Sequence, residues 1–172
     1  MKRSDAPCCG ISMILFVVAG LPWLAAGCAQ RTKGLFTLSE LKTYQRLAVL
    51  GLTPEQEQLF MACYIKGFQE QPTTFVERTR LQEVVKEQDL LHGRLDDKTR
   101  AKIRQIFGVE ALIMCQYDQG PDGQGMNKLR VRIVNSETGA IAGSVIIEGV
   151  GDFDSLGQQA VKALKQDLYS GY

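Results

Sequence analysis

The chain has 172 residues, with 20 basic and 19 acidic side chains, one histidine and five cysteines. Setting aside Lys2, Arg3 and Asp5, all within the first 27 residues, the basic and acidic groups balance at eighteen each. That balance gives no electrostatic reason to seek nucleic acid or an anionic membrane surface, and the 145 residues that follow suffice for one compact domain.

Lys2 and Arg3 form a short basic segment, and residues 11–26 are an almost uninterrupted apolar run broken by Pro22. A spanning helix needs roughly 20 apolar residues. This run is shorter and ends in small residues, as a secretory signal does. It closes in Leu24-Ala25-Ala26-Gly27-Cys28, which resembles the lipobox of bacterial lipoproteins. The resemblance implies cleavage before Cys28 and two or three acyl chains on its thiol. One chain alone binds a bilayer only marginally, so a second is needed for stable anchoring. The match departs from the family pattern at Ala25, where an aliphatic residue is usual; Leu24 stands one step further out. The alternative is an ordinary secretory signal that leaves Cys28 as a free thiol. Ala29 follows Cys28, rather than the Asp associated with inner-membrane retention, so the expected location is the periplasmic face of the outer membrane. Residues 1–27 are thus the expected signal peptide, 28–45 a lipidated cysteine with a short lead segment, and 46–172 a single domain.

Within the lead, residues 29–33 read as a polar tether, whereas Leu35, Phe36, Leu38 and Leu41 are too apolar for a free linker. Arg46-Leu-Ala-Val-Leu-Gly51 is the first expected strand. Thr53-Pro54-Glu55-Gln56 is a helix start: Thr53 caps, Pro54 suits the first turn and Gln56 completes a capping box. Leu59, Phe60, Cys63, Tyr64 and Phe68 give that helix an inward side. Residues 74–78 are the second strand. Thr79 and Gln82 repeat the capping signature for a helix whose stripe is Leu81, Val84, Val85 and Leu91, reaching His92 and Gly93. A further helix spans 97–107, with Ala101, Ile103, Ile106 and Phe107 apolar and Gly108 as its left-handed terminator. Residues 111–117 form a buried strand, and the glycine-rich 120–125 segment is a turn. Leu129, Val131 and Ile133 then alternate with Arg130 and Arg132, as in a strand with one solvated face. Turn chemistry at 135–139 joins it to a strand over 140–150. The last helix, 153–168, buries Leu156, Ala160, Val161, Leu164 and Leu168, with Asp152 or Asp154 as its cap. The order is β-α-β-α-α-β-β-β-α, an α/β fold with a mixed five-stranded sheet covered by helices.

Catalytic and metal-binding patterns are missing. His92, the only histidine, falls at a helix end, where a solvated side chain is the ordinary outcome. Cys63 and Cys115 lie in a helix and a strand with no CxxC or neighbouring His, which fits two free thiols better than a disulfide. Gly120, Gly123 and Gly125 do not lead from a strand into a helix, so no phosphate loop is indicated. No cofactor, metal or catalytic residue is therefore expected, and the chain reads as a non-enzyme. Arg78, at the point where a strand turns into a helix, is a candidate ligand contact, against its ordinary role of pairing a carboxylate or capping carbonyls.

Arg46-Leu-Ala-Val-Leu50, Phe75-Val-Glu-Arg78, residues 81–91, residues 103–111 and Val134-Asn-Ser-Glu-Thr-Gly139 form an ordered set. It is similar to the CsgG-like group of periplasmic lipoprotein domains, whose members include the curli-secretion lipoprotein and the lipoprotein activator of penicillin-binding proteins. The resemblance implies a secretion or envelope role through protein contacts. It does not carry over pore formation, because the short connections around Gly120 and Gly139 leave no room for membrane hairpins, whose strands need roughly 9–11 residues each. The expected function is a lipid-tethered interaction module that binds another envelope protein or its own copies. The candidate surfaces are Leu35, Phe36 and Leu38 in the lead and the Arg130/Arg132 face. A regulator of a peptidoglycan synthase, or a small-molecule or glycan site near Arg78, are the alternatives.

Overall fold

The computed structural model describes residues 31–93, 95–120 and 125–170; the leader, Cys28 and residues 121–124 of the glycine-rich turn lie outside the described residues. The strands are β1 Arg31–Thr37, β2 Arg46–Leu50, β3 Thr74–Phe75, β4 Ala111–Asp118, β5 Asn127–Asn135 and β6 Ile141–Gly149. They form one mixed sheet in the order β1-β6-β5-β4-β2-β3. Strand β2 is parallel to β3 and β4, and every other pairing is antiparallel. Helices α1 Pro54–Gly67 and α5 Phe153–Ser170 cover one face. Three shorter helices, α2 Arg78–Leu81, α3 Glu87–His92 and α4 Asp97–Phe107, gather on the other.

Alternation sorts the core. In β2, Leu47 and Val49 enter the layer under α1 and α5, while Ala48 and Leu50 enter the layer under α2–α4. Both faces of this central strand are covered, so it reads as a continuous apolar run. The capping box at α1 forms as the sequence implies: the Gln56 N–H donates to Thr53 Oγ1 at 3.4 Å, and the Thr53 N–H donates to Gln56 Oε1 at 3.2 Å. Helix α5 buries all five residues of its predicted stripe, and Asp152 accepts from the Ser155 N–H at 2.9 Å. Gly108 ends α4 in the left-handed conformation at φ 66°. Gly51, with φ 86°, ends β2 where a Cβ would stand 1.9 Å from the Cys115 carbonyl oxygen, so no other residue fits.

Several expectations are corrected. The sheet has six strands rather than five, because the stretch read as tether and lead is itself an edge strand, β1, paired with β6. It was hidden by a bulge: between Lys33 and Phe36 the register slips by one residue, with Gly34 at φ 56°, which breaks period-two alternation. A 3-10 turn, Ser39–Thr43, then carries Leu41 into the core. The expected long helix from Thr79 is two short ones, and the N-cap of α2 is Glu77 rather than Thr79. Val84 and Val85 are β-branched and weak helix formers, and the chain unwinds there, so that Leu81, Val85 and Leu90 all reach one core. Strand β3 is only two residues long. Leu59 and Ile106 are exposed instead of inward, as is Ala101, while Glu57 is buried.

Candidate functional site

The two faces of the sheet are covered unequally. The second core draws Ala48, Leu50 and Leu112 from β2 and β4, and no residue from β5, β6 or β1. Over those three strands, no helix covers this face among the described residues. Register then places side chains in cross-strand rows, since directly paired residues share a face. One row is Phe36, Ser144, Arg132 and Met114; the next is Lys33, Ile146, Arg130 and Gln116; the third is Arg31, Glu148, Lys128 and Asp118.

The charges grade across these rows. Glu148 is clamped between Lys33 Nζ at 2.5 Å and Lys128 Nζ at 2.6 Å. The Lys128 and Lys33 ammonium groups hold its carboxyl down at about 2. Arg130 reaches diagonally to Asp118 at 2.8 Å. Arg132 is exposed and has no ion-pair or hydrogen-bond partner among the described residues. In the same row, two strands away across Ser144, Phe36 is 41 % exposed. A trough of about 360 Å³ runs from Gly93 at the end of α3 across Met114 and Gln116 to Arg130, Arg132 and Ile146. An exposed ring, an aliphatic floor and an uncompensated guanidinium suit a protein partner that supplies apolar contact and a carboxylate.

The other predicted positions separate. Leu35 turns to the opposite face and packs on the core there. Leu38 lies beyond the end of β1, 47 % exposed, with its N–H donating to the Ala142 carbonyl at 2.8 Å. Phe36 joins Arg130 and Arg132 on one surface, although they came from segments about a hundred residues apart.

Arg78 sits elsewhere, between α1, α2 and α3. Its Nη1 donates to the Leu52 carbonyl at 3.1 Å and to Glu57 at 2.7 Å, and its Nη2 donates to Glu87. Glu57 is 3 % exposed; burial pushes its carboxyl up, against the opposing pull of Arg78. Glu87, at the surface, is held down by its hydrogen bonds from Arg78 and then Gln82. Both terminal nitrogens of Arg78 are occupied, as in the carboxylate-pairing role, while its buried Nε has no hydrogen-bond partner among the described residues. The residue joins the end of β2, the start of α1 and α3.

The remaining reactive groups are quiet. Cys63 is half-buried and Cys115 buried, both as free thiols. Burial, then Asp154 at 3.5 Å, pushes the Cys63 thiol up to about 11, and burial pushes that of Cys115 up further; neither is a nucleophile at neutral pH. His92 is exposed, its Nδ1 2.6 Å from the Gln88 carbonyl oxygen. Among the described residues no group of three or more His, Cys, Asp or Glu side chains is placed to hold a metal, and no helix is long and apolar enough to cross a membrane. Sequence reasoning missed Ser144, Ile146 and Met114 as neighbours of the arginines. Without β1 and its register nothing marks them.

Residues 73–129 match the family model of the curli production assembly/transport component CsgG, the group to which the ordered motifs are similar. No curated protein matches the chain. Among solved structures, the PelC dodecamer from Paraburkholderia phytofirmans aligns at 11 % identity and TM-score 0.46, over 83 % of this chain and 97 % of that one. A lipoprotein from Neisseria meningitidis aligns at 17 % identity and TM-score 0.43, over 71 % of this chain and 96 % of that one.

Proposed function

We propose that this chain, whose residues 73–129 match the CsgG family model, is a non-catalytic lipoprotein of the bacterial outer membrane. It faces the periplasm and docks a protein partner of a secretion or envelope assembly on its open sheet face. The observation that carries the reading is the uncovered face itself, where Phe36 and Arg132 share one cross-strand row with Ser144 between them. Antiparallel strands commonly leave one face solvated, and most of this one is charged; the exposed Phe36 ring is its apolar contact. The free guanidinium in the same row supplies direction for a carboxylate.

Cys28 is the anchor in this reading. Only Ala29 and Gln30 separate it from β1, so the tether reaches about 10 Å at full extension, far shorter than one counted to Arg46. A domain held this close suits lateral contacts in the membrane plane better than reach across the wall to a peptidoglycan synthase. Replacing Cys28 by Ala should abolish incorporation of radioactive fatty acid; continued labelling would refute the anchor. Phe36→Asp and Arg132→Glu should each remove crosslinked envelope partners while the circular dichroism and melting curve stay unchanged. Full retention of partners in both variants would refute the docking face.

A further inference from the structure

The end of the sheet from which β1 emerges carries an exposed apolar pair. Asn127 opens β5 opposite Gly149, the last residue of β6, so Met126 and Val150 lie side by side just beyond that pair. They are 50 % and 52 % exposed. The platform beneath them is well tied. Asn127, a buried polar residue, donates through Nδ2 to the Gly151 carbonyl at 2.5 Å and accepts from the Gly120 N–H at 2.9 Å. One amide thus holds the β4–β5 turn, the start of β5 and the β6–α5 turn together. Two residues back along β6, Glu148 pairs with Arg31 in register, and its clamp with Lys33 fixes the start of β1 to the same corner.

We propose that this corner rests on the lipid bilayer, with Met126 and Val150 entering its interface. The inference depends on the reading of Cys28 as a lipidated residue. Val150 lies about 7 Å along the strand from Glu148, and Cys28 lies three residues, at most about 10 Å, from Arg31. An acylated cysteine therefore cannot hold the bilayer far from Met126 and Val150. Of the exposed apolar side chains, these two are a pair that the anchor brings to the acyl boundary. The opposite end of β6, at Ile141, is nine residues and roughly 30 Å away. Ile141 is also exposed, at 40 %, and stays in the periplasm.

The chain has one tryptophan, Trp23, within the segment that cleavage before Cys28 removes, so a single indole placed in the mature protein reports its own site. Met126→Trp, Val150→Trp and Ile141→Trp are made in the full chain, purified in lipidated form and placed in phosphatidylethanolamine–phosphatidylglycerol vesicles with brominated acyl chains. Emission at 126 and 150 is expected to shift to the blue and be quenched, whereas that at 141 is unchanged. Unquenched emission at 126 and 150 in fatty-acid-labelled protein overturns the corner contact and leaves the anchor standing. Equal quenching at all three positions also overturns it. Protein without fatty-acid label sinks the anchor, and the proposal with it. As a second readout, Met126→Asp combined with Val150→Asp should weaken vesicle retention in high salt without changing the melting curve; unchanged retention argues against the contact.

Discussion

The two arginine sites divide the molecule. Arg78 lies past the end of β2, between α1, α2 and α3. It is almost enclosed, and two carboxylates and a carbonyl take up its terminal nitrogens. Arg132 lies on β5, on the face that α2–α4 leave uncovered, and it is unpaired among the described residues. One guanidinium is consumed by the fold and the other is left over. The difference separates a cation neutralised within the fold from one that the proposed reading assigns to docking, and it follows from how far the helices extend across the sheet.

The largest effect should come from breaking the covered half. Arg78→Ala strands the buried Glu57 carboxylate without its counter-charge, and losing one partner of a buried pair costs about 3–5 kcal/mol; chemical denaturation measures it. Truncating the other layer is next. Leu164→Ala, on the buried side of α5, should cost about 2–5 kcal/mol through lost burial and a residual cavity, again read by denaturation. On the open half the sign of the comparison reverses. Phe36→Asp and Arg132→Glu should stay within about 0.5 kcal/mol of the parent in stability, as exposed substitutions do, and yet lose the partner. A large loss of stability there would mean that the face is covered in the folded chain.

The smallest effect is a pH dependence on Glu148. Its carboxyl is depressed to about 2 by Lys128 and Lys33, against an ordinary value of roughly 4.3 in the unfolded chain. Its stabilising contribution is therefore complete above that ordinary value, and it is lost as pH falls through the window down to about 2. Glu148→Gln should be slightly less stable than the parent at pH 7, and the gap should close across that window in denaturant titrations. A gap that widens on acidification would contradict the clamp.

Much of this was legible in the residues. The capping box at Thr53, the left-handed Gly108, the stripe of α5 and the alternation of β5 are local signals, and each forms as read. The elements that were not legible depend on distant partners. β1 pairs with a strand more than a hundred residues later, and the bulge at Gly34 puts Lys33 and Phe36, three residues apart, on the same face, so a sound apolar segment looked like a lead. The break between α2 and α3 has neither proline nor glycine to announce it; it follows from where Leu81, Val85 and Leu90 must pack. For the site, Arg130 and Arg132 were visible as an alternating pair and Phe36 as an apolar oddity. Only register could show that they share one surface.

The claim that function resides on the open face is tested most directly by photocrosslinking in the intact envelope. A photoreactive residue is introduced in place of Arg132 and, separately, in place of Lys102, an exposed position on α4 over the covered half. Both are made in the lipidated full chain. A discrete protein adduct at 132 and none at 102 is the predicted result; adducts at 102 alone, or equally at both positions, would contradict it.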